Sequence, residues 1–485
     1  MKTEHTPTML RILLLAPDCD PERVSIPFVS YCHAAALAQL HEVTLVAGAP
    51  VEGALRRAKA PFRGIEVVRM PLLERLYAWS LRRIFKYNYD TQALTAFGYP
   101  FAIAFEWRAW RQLRQRIFAG EFDVVLRLLP MTAVLPSPFA FFLRKGPIPF
   151  VLGPLQGGLG SAPGFSQPDK REWIFRVRSL YRFLPFARST YRHAAAIIAA
   201  VSHIRTQFAA YSDKLFFIPE NGIARSLCVA DSRRAKPGAN LELIFVGGFV
   251  RRKACYLGLR AATPLLRSGL AHFTLIGDGP ERSSLEQLAR DLGITNAVSF
   301  CGWLSHEEVL NRLRSADVVV LPAIREGGGG VVFEALASGA VPVILDWGGP
   351  GDIVHPEVGY KVPPSNEEEV VLQMERILSE LADNRDLVYR LRQQGLSYAR
   401  ECLTWDAKAQ ATTQVLNWVV RRGPKPDLPW SKMARVKCVN DVENASPERH
   451  YEAGETVLRP GTANGSPSQD AGMPRRSRRM ERSST

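Results

Sequence analysis

LPAIREGGGGVVFEALASGAVPVILDWGGPGDIV, residues 321–354, is the stretch whose reading decides the fold. An apolar strand ends at Pro322, four glycines follow at 327–330, and a helix is expected from about Val331 with Glu334 in its first turns. A second apolar run, 341–345, comes after Gly339. Strand, helix and strand at this spacing form a crossover unit, which implies a parallel sheet. A glycine run that opens a helix exposes backbone N–H groups at the positive end of the helix dipole, a setting that suits phosphate oxygens. Glu326 before the run and Glu334 on the helix are acceptors for hydroxyl groups such as those of a sugar.

The same alternation extends in both directions. Near the N-terminus RILLLA (11–16), the helical SYCHAAALAQL (30–40) and HEVTLVAG (41–48) read as β-α-β. Further strands are expected at 65–69, 123–128, 149–152, 196–201 and 215–218, with a long aromatic and arginine-rich helical region at 72–120. Pro219-Glu220-Asn221-Gly222 reads as a turn, and the polar stretch 231–240 as a linker. A second series then has strands at 241–246, 272–276, 297–300, 318–321 and 341–345. Two doubly wound α/β domains are implied, facing across a cleft, and the default site lies in that cleft at the carboxyl ends of the strands. Helices are expected over 367–420, with Trp405 and Trp418 as packing anchors.

Composition narrows the function classes. The chain has 485 residues, 46% of them hydrophobic, and a net charge of +15. That charge attracts polyanions, whether nucleic acid, anionic lipid or phosphorylated substrate. No apolar run is long enough to span a bilayer. The seven cysteines are scattered without a C-x-x-C pair, which fits a reducing cytosol. The segment 170–193, KREWIFRVRSLYRFLPFARSTYRH, interleaves arginine with aromatics and has two readings: a helix at a membrane interface, or a core-facing helix with a solvated basic face. With the basic residues between Arg75 and Arg116 it suggests contact with an anionic membrane surface. No groove-reading motif supports nucleic-acid binding. Beyond Arg421, Pro, Gly, Ser and charged residues replace the apolar periodicity, so 421–485 is expected to be a disordered basic tail.

The run EGGGGVVFEALASGAVPV (326–343) resembles the E-x7-E signature of the family 4 retaining glycosyltransferases, with Glu326 and Glu334 as the two acids. The resemblance continues upstream through LIFVGGFVRRKA (243–254), TLIGDGPERSSLEQLA (274–289) and VSFCGWLSHEEVLNRLRSADVVVLPA (298–323). It implies a GT-B fold: an acceptor-side Rossmann-like domain over 9–225, a nucleotide-sugar-binding one over 238–400, and a helix over 401–420 that returns toward the first domain. It also implies a retaining transfer of a hexose from a nucleotide-sugar donor to a glycan or lipid-linked acceptor, with no metal and no cofactor beyond that co-substrate. The resemblance assigns Glu334 to the ribose hydroxyls, Glu326 to the donor hexose, Lys253 to the donor diphosphate, Gly327, Gly328, Gly329 and Gly330 to backbone phosphate contacts, and Gly302 and Trp303 to the base. A cytoplasmic enzyme, peripheral on the inner face of the membrane, is expected from the scattered cysteines and the basic aromatic stretches.

Several positions depart from the family pattern. Gly248 stands where the family has an arginine, and Arg252 or Arg251 either compensates or belongs to a solvated loop. Gly328 replaces the family's phenylalanine. The first βα loop, APDCDPERVSIPF (16–28), carries Ser25 and Ile26 where small residues are expected. PFVLGPLQGGLG (149–160) lacks the family's cleft histidine, and Gln156, Gly157 and Gly158 take its place, either admitting the donor sugar or forming a simple turn. Asp18-Cys19-Asp20 matches the metal-binding D-x-D of another glycosyltransferase fold but lies in the wrong domain, and His33, His41, His193, His203 and His306 lack metal-ligand spacing. Two alternatives stand beside transfer: a catalytically inactive nucleotide-sugar-binding subunit, and a GT-B-fold sugar-nucleotide epimerase.

Overall fold

The computed structural model describes residues 9–84, 98–165, 184–228, 240–421 and 423–430. Most of the basic aromatic segment 170–193, the linker 231–239 and the tail from 431 onward lie outside these described residues.

Two parallel sheets organise the chain. The first has seven strands: β1 (Arg11–Leu15), β2 (Glu42–Gly48), β3 (Gly64–Val68), β4 (Val124–Arg127), β5 (Phe150–Leu155), β6 (Ala196–Ala199) and β7 (Leu215–Phe217), in the order β3-β2-β1-β4-β5-β6-β7. The second has six: β8 (Leu241–Val246), β9 (Ala271–Ile276), β10 (Val298–Gly302), β11 (Val318–Leu321), β12 (Val341–Leu345) and β13 (Tyr360–Val362), in the order β10-β9-β8-β11-β12-β13. The central strands are near-continuous Val, Ile and Leu because helices cover both faces of a parallel sheet. Leu13, Val318, Val320 and Val343 are completely buried. In each sheet the strand order reverses beside the first strand, between β1 and β4 and between β8 and β11. Such a switch point splays the loops apart and opens a crevice at the carboxyl ends of the strands. This is a GT-B architecture of two Rossmann-like domains.

The chain ends its described path in the N-terminal core. The helix Trp405–Arg421 buries Ala409, Val415 and Leu416 among the residues of the first sheet and its helices. Its Thr412 and Thr413 hydroxyls meet the rings of buried His33 (3.0 Å) and His41 (2.7 Å). Trp418 packs edge-on to Phe216 of β7 at 5.1 Å between ring centroids. The expected tail boundary needs correction: Leu428 and Trp430 lie past residue 421 and are buried in the same core, Trp430 completely. The apolar pair in the proline-rich stretch 424–430 anchors the chain beyond the point where helical periodicity stops.

Candidate active site

The C-terminal half of the cleft is built at the switch point of the second sheet. After β8 the chain makes a short 3-10 turn, Arg251–Lys253, and after β11 it enters the glycine loop 327–330. The two loops are stitched together, since the Arg252 carbonyl accepts the N–H groups of Ile324 (3.0 Å) and Arg325 (3.3 Å). This backbone tie sets Lys253 beside the glycine loop. The Lys253 Nζ and Glu326 Oε2 form an ion pair at 2.5 Å, and the lysine stem runs along Gly247. Both side chains are largely buried, at 14% and 18% exposed.

Glu326 also receives the Gly329 N–H on Oε1 at 3.3 Å. Gly329 occupies the N-cap of the helix Gly330–Ser338 with φ +62, a left-handed conformation that glycine adopts without strain. Among the described residues no side chain caps this helix, so the backbone at its positive end faces the loop that Glu326 closes. Glu334, one turn further on, is bonded to His306 at 2.8 Å. His306 is set there by a capping box, in which Ser305 accepts the Glu308 N–H and Glu308 returns a bond to the Ser305 N–H. The Glu334 carboxylate raises the His306 pKa above its usual value. Gly302 ends β10, and the exposed Trp303 after it approaches Gly248, where an added Cβ would meet the indole at 3.7 Å. Arg251 and Arg252 are exposed on their turn.

The N-terminal half contributes through the loop after β5. The Gln156 N–H donates to the Met131 carbonyl at 3.0 Å. Its Oε1 lies opposite Gly327, 3.2 Å from where a Cβ would stand. Gly157 and Gly158 have φ of +104 and +85 and carry the chain toward the second domain. There the Gly160 carbonyl accepts the Trp347 indole N–H (3.0 Å), and the Ala162 N–H donates to the Ile324 carbonyl (2.8 Å). Asp352 completes the seam by accepting the Ser202 N–H at 2.7 Å. The structure thus brings Gln156, Gly327, Glu326 and Lys253 together, and sets Trp303 and Glu334 further along the C-terminal side.

Sequence reasoning missed three residues here. His203, noted from sequence only for lacking metal-ligand spacing, bonds the Gly157 carbonyl through Nε2 at 2.9 Å. An imidazole therefore does border the cleft loop, delivered from the end of β6 rather than from β5. His306 was placed in the same group and instead holds Glu334. Glu220 was read only as part of a turn, yet its carboxylate abuts Gly328. Only His306 had a legible signal, the S-x-x-E capping pattern at Ser305. Among the described residues no group of three or more His, Cys, Asp or Glu side chains converges to hold a metal ion, and Asp20 of the D-x-D accepts the Glu22 N–H at 2.9 Å.

Residues 231–394 match the sequence model of the family described as glycosyl transferases group 1. An uncharacterised glycosyltransferase of Methanocaldococcus jannaschii is 30% identical over 174 residues, 36% of this chain and 44% of that protein. A glycogen synthase of Mycobacterium tuberculosis is 30% identical over 237 residues, 47% of this chain and 52% of that protein. The chain thus spans about half the length of these curated relatives. Among solved structures, Anabaena HepE in complex with UDP superposes with a TM-score of 0.55 at 16% identity, covering 84% of this chain and all of that one. The likeness establishes the shared fold.

Proposed function

We propose that the chain is a retaining glycosyltransferase that moves a hexose from a nucleotide-sugar donor to a glycan or lipid-linked acceptor without a metal ion. The observation that carries this reading is the Lys253–Glu326 pair at the mouth of an uncapped helix N-terminus. Transfer of a glycosyl group leaves negative charge on the departing diphosphate, and a preorganised cation and helix dipole stabilise that charge where it develops. Lys253 holds the leaving phosphate, Glu326 turns to the hexose hydroxyls, and Glu334 accepts from the ribose. Backbone N–H groups of Gly327 to Gly330 line the diphosphate, with Arg252 nearby and Trp303 against the base.

The anomeric carbon breaks its bond to the phosphate oxygen and forms one to the acceptor oxygen on the same face. The acceptor proton passes to the leaving phosphate, so no side-chain base is required. Gln156, Gly157 and Gly158 lie on the acceptor side. The neighbour HepE was solved with UDP and with UDP-glucose, which favours a UDP-sugar as the first donor to try.

No helix of the described residues is long and apolar enough to cross a membrane. On the helix Pro71–Ile84, Leu72, Leu76 and Trp79 are exposed, which supports peripheral attachment on the inner face of a membrane where a lipid-linked acceptor would reside. A thermal-shift panel of UDP-, GDP- and ADP-sugars tests donor binding, because a ligand of the native state raises the melting temperature. The donor that shifts wild type should fail to shift Glu334→Ala. An equal shift in both proteins would remove Glu334 from the site.

A further inference from the structure

One buried acid beside the site has no role in the mechanism above. Glu220 lies in the turn that follows β7 and is 8% exposed. Among the described residues its Oε2 has no hydrogen-bond partner, whereas buried carboxylates are nearly always bonded. Its Oε1 occupies the volume where a side chain at position 328 would begin, with the Asn221 amide beside it. The glycine at 328 and the acid at 220 are therefore complementary: the loop gives up a side chain, and the opposite domain fills the space with a carboxyl group.

The turn is braced from behind. Lys408, fully buried on the helix Trp405–Arg421, donates from Nζ to the Glu220 carbonyl and lies 4.5 Å over the Trp405 ring. A Cβ on Gly222 would press into Trp405 and Lys408, so this turn cannot relax away from the cleft without unpacking that helix. The charged groups that act on Glu220 are Lys408 on one side and Glu326 on the other. Burial comes first among the causes that push its pKa up to about 7, and the Glu326 charge adds to it against Lys408. Lys408, which Cys32 and His33 of the helix Ile26–Ala38 also face, is pushed down to about 7 by burial. Near neutrality the Glu220 carboxyl can either donate or accept a hydrogen bond.

We propose that Glu220 is a sugar-recognising residue of the donor site, its carboxyl reaching past Gly328 to bond a hydroxyl of the hexose held on the 326–330 loop. This rests on the donor-site reading above. A carboxyl that only plugged the space at Gly328 would support the loop for any ligand, whereas one that bonds the hexose matters only when a sugar is attached.

Calorimetric titration of the full chain with UDP and UDP-glucose, and with GDP and GDP-mannose, separates the two. Glu220→Gln should weaken the sugar-bearing ligand on the order of tenfold while leaving the bare nucleotide within about twofold, the scale of one lost bond to a charged partner. Glu220→Asp, which shortens the side chain and withdraws its carboxyl from the space at Gly328, should give the same selective loss and carries the test should Glu220→Gln fold poorly. Equal weakening of both ligands, or no change in either, overturns the proposal. Glu334→Ala is the control for the underlying reading. If it abolishes UDP binding while Glu220→Gln shows no sugar selectivity, the Glu220 proposal alone fails; if UDP binding survives it, the donor site itself is misplaced.

Discussion

The two Rossmann-like domains share an architecture but differ in how their switch-point loops are made. In the C-terminal sheet the loop after β11 is glycine where the backbone turns left-handed, and its acid and cation are paired across two adjacent loops. In the N-terminal sheet the loop after β1, the counterpart of the one after β8, ends at Ser25, a non-glycine residue with φ +69 and ψ −143, at the N-cap of the helix Ile26–Ala38. That conformation is sparsely populated outside glycine and is held by the surrounding structure. The C-terminal crevice thus adds a glycine loop with a paired acid and cation, while each first-strand loop holds a non-glycine residue at positive φ, Ser25 in the N-terminal sheet and Ala254 (φ +48) in the C-terminal one. Under the proposed function, the glycine-loop side takes the nucleotide and the other crevice the acceptor.

The largest expected effect tests whether the halves are energetically separable. Leu428 and Trp430 belong to the N-terminal core, so removing everything after Arg421 should destabilise it. Trp430→Ala alone should lower stability by about 3–5 kcal/mol, as for other buried tryptophans. Truncation after Trp430 should leave the melting temperature unchanged. Equal melting of all three proteins would mean that the last eight residues of the described path contribute nothing to the core.

On the catalytic side, Lys253→Ala should reduce turnover by a factor on the order of 10² to 10³, the loss seen when one transition-state charge partner is removed. Arg251→Ala and Arg252→Ala should separate the arginine that substitutes for the one absent at Gly248, with a comparable fall, from a solvated neighbour that shows almost none. Steady-state kinetics on the three variants decides between them.

A smaller effect sharpens the contrast at Ser25. If the residue is strained, Ser25→Gly should stabilise the protein by about 1 kcal/mol, a shift of roughly 2–4 °C in melting temperature. Destabilisation instead would show that the serine hydroxyl matters more than its backbone.

The smallest effect concerns pH. Glu334 raises the His306 pKa, so the pair is complete at low pH and is lost as pH rises through that raised value. Nucleotide binding should strengthen modestly over that rise, because Glu334 is released to accept the ribose hydroxyls. His306→Ala should bind at the high-pH level throughout, which titrations at several pH values would reveal.

Much of this was legible in the sequence, and the omissions have physical causes. The strands β8, β11 and β12 fall where the apolar runs place them, because a strand buried on both faces has to be apolar throughout. β13 was missed: three residues at a sheet edge, Tyr360–Val362, carry no period. Glu326 and Glu334 could be singled out because they flank the glycine loop in sequence, and Lys253 because the stretch around it resembles the family motif. Glu220 could not, since its contact with Gly328 spans the two domains and depends on how the turn after β7 meets the loop after β11. Trp430 was hidden for a related reason: a single aromatic in a proline-rich stretch has no periodic neighbours, and only the packed core reveals its place.

The most direct test of the central claim is the anomeric configuration of the product formed from a bound nucleotide-sugar, followed by NMR in the presence of a chelator. Transfer or slow donor hydrolysis with retained configuration is expected, undiminished by the chelator and nearly abolished in Glu326→Ala. An inverted product, activity restored only by Mn²⁺ or Mg²⁺, or nucleotide binding with no sugar ever released would contradict it.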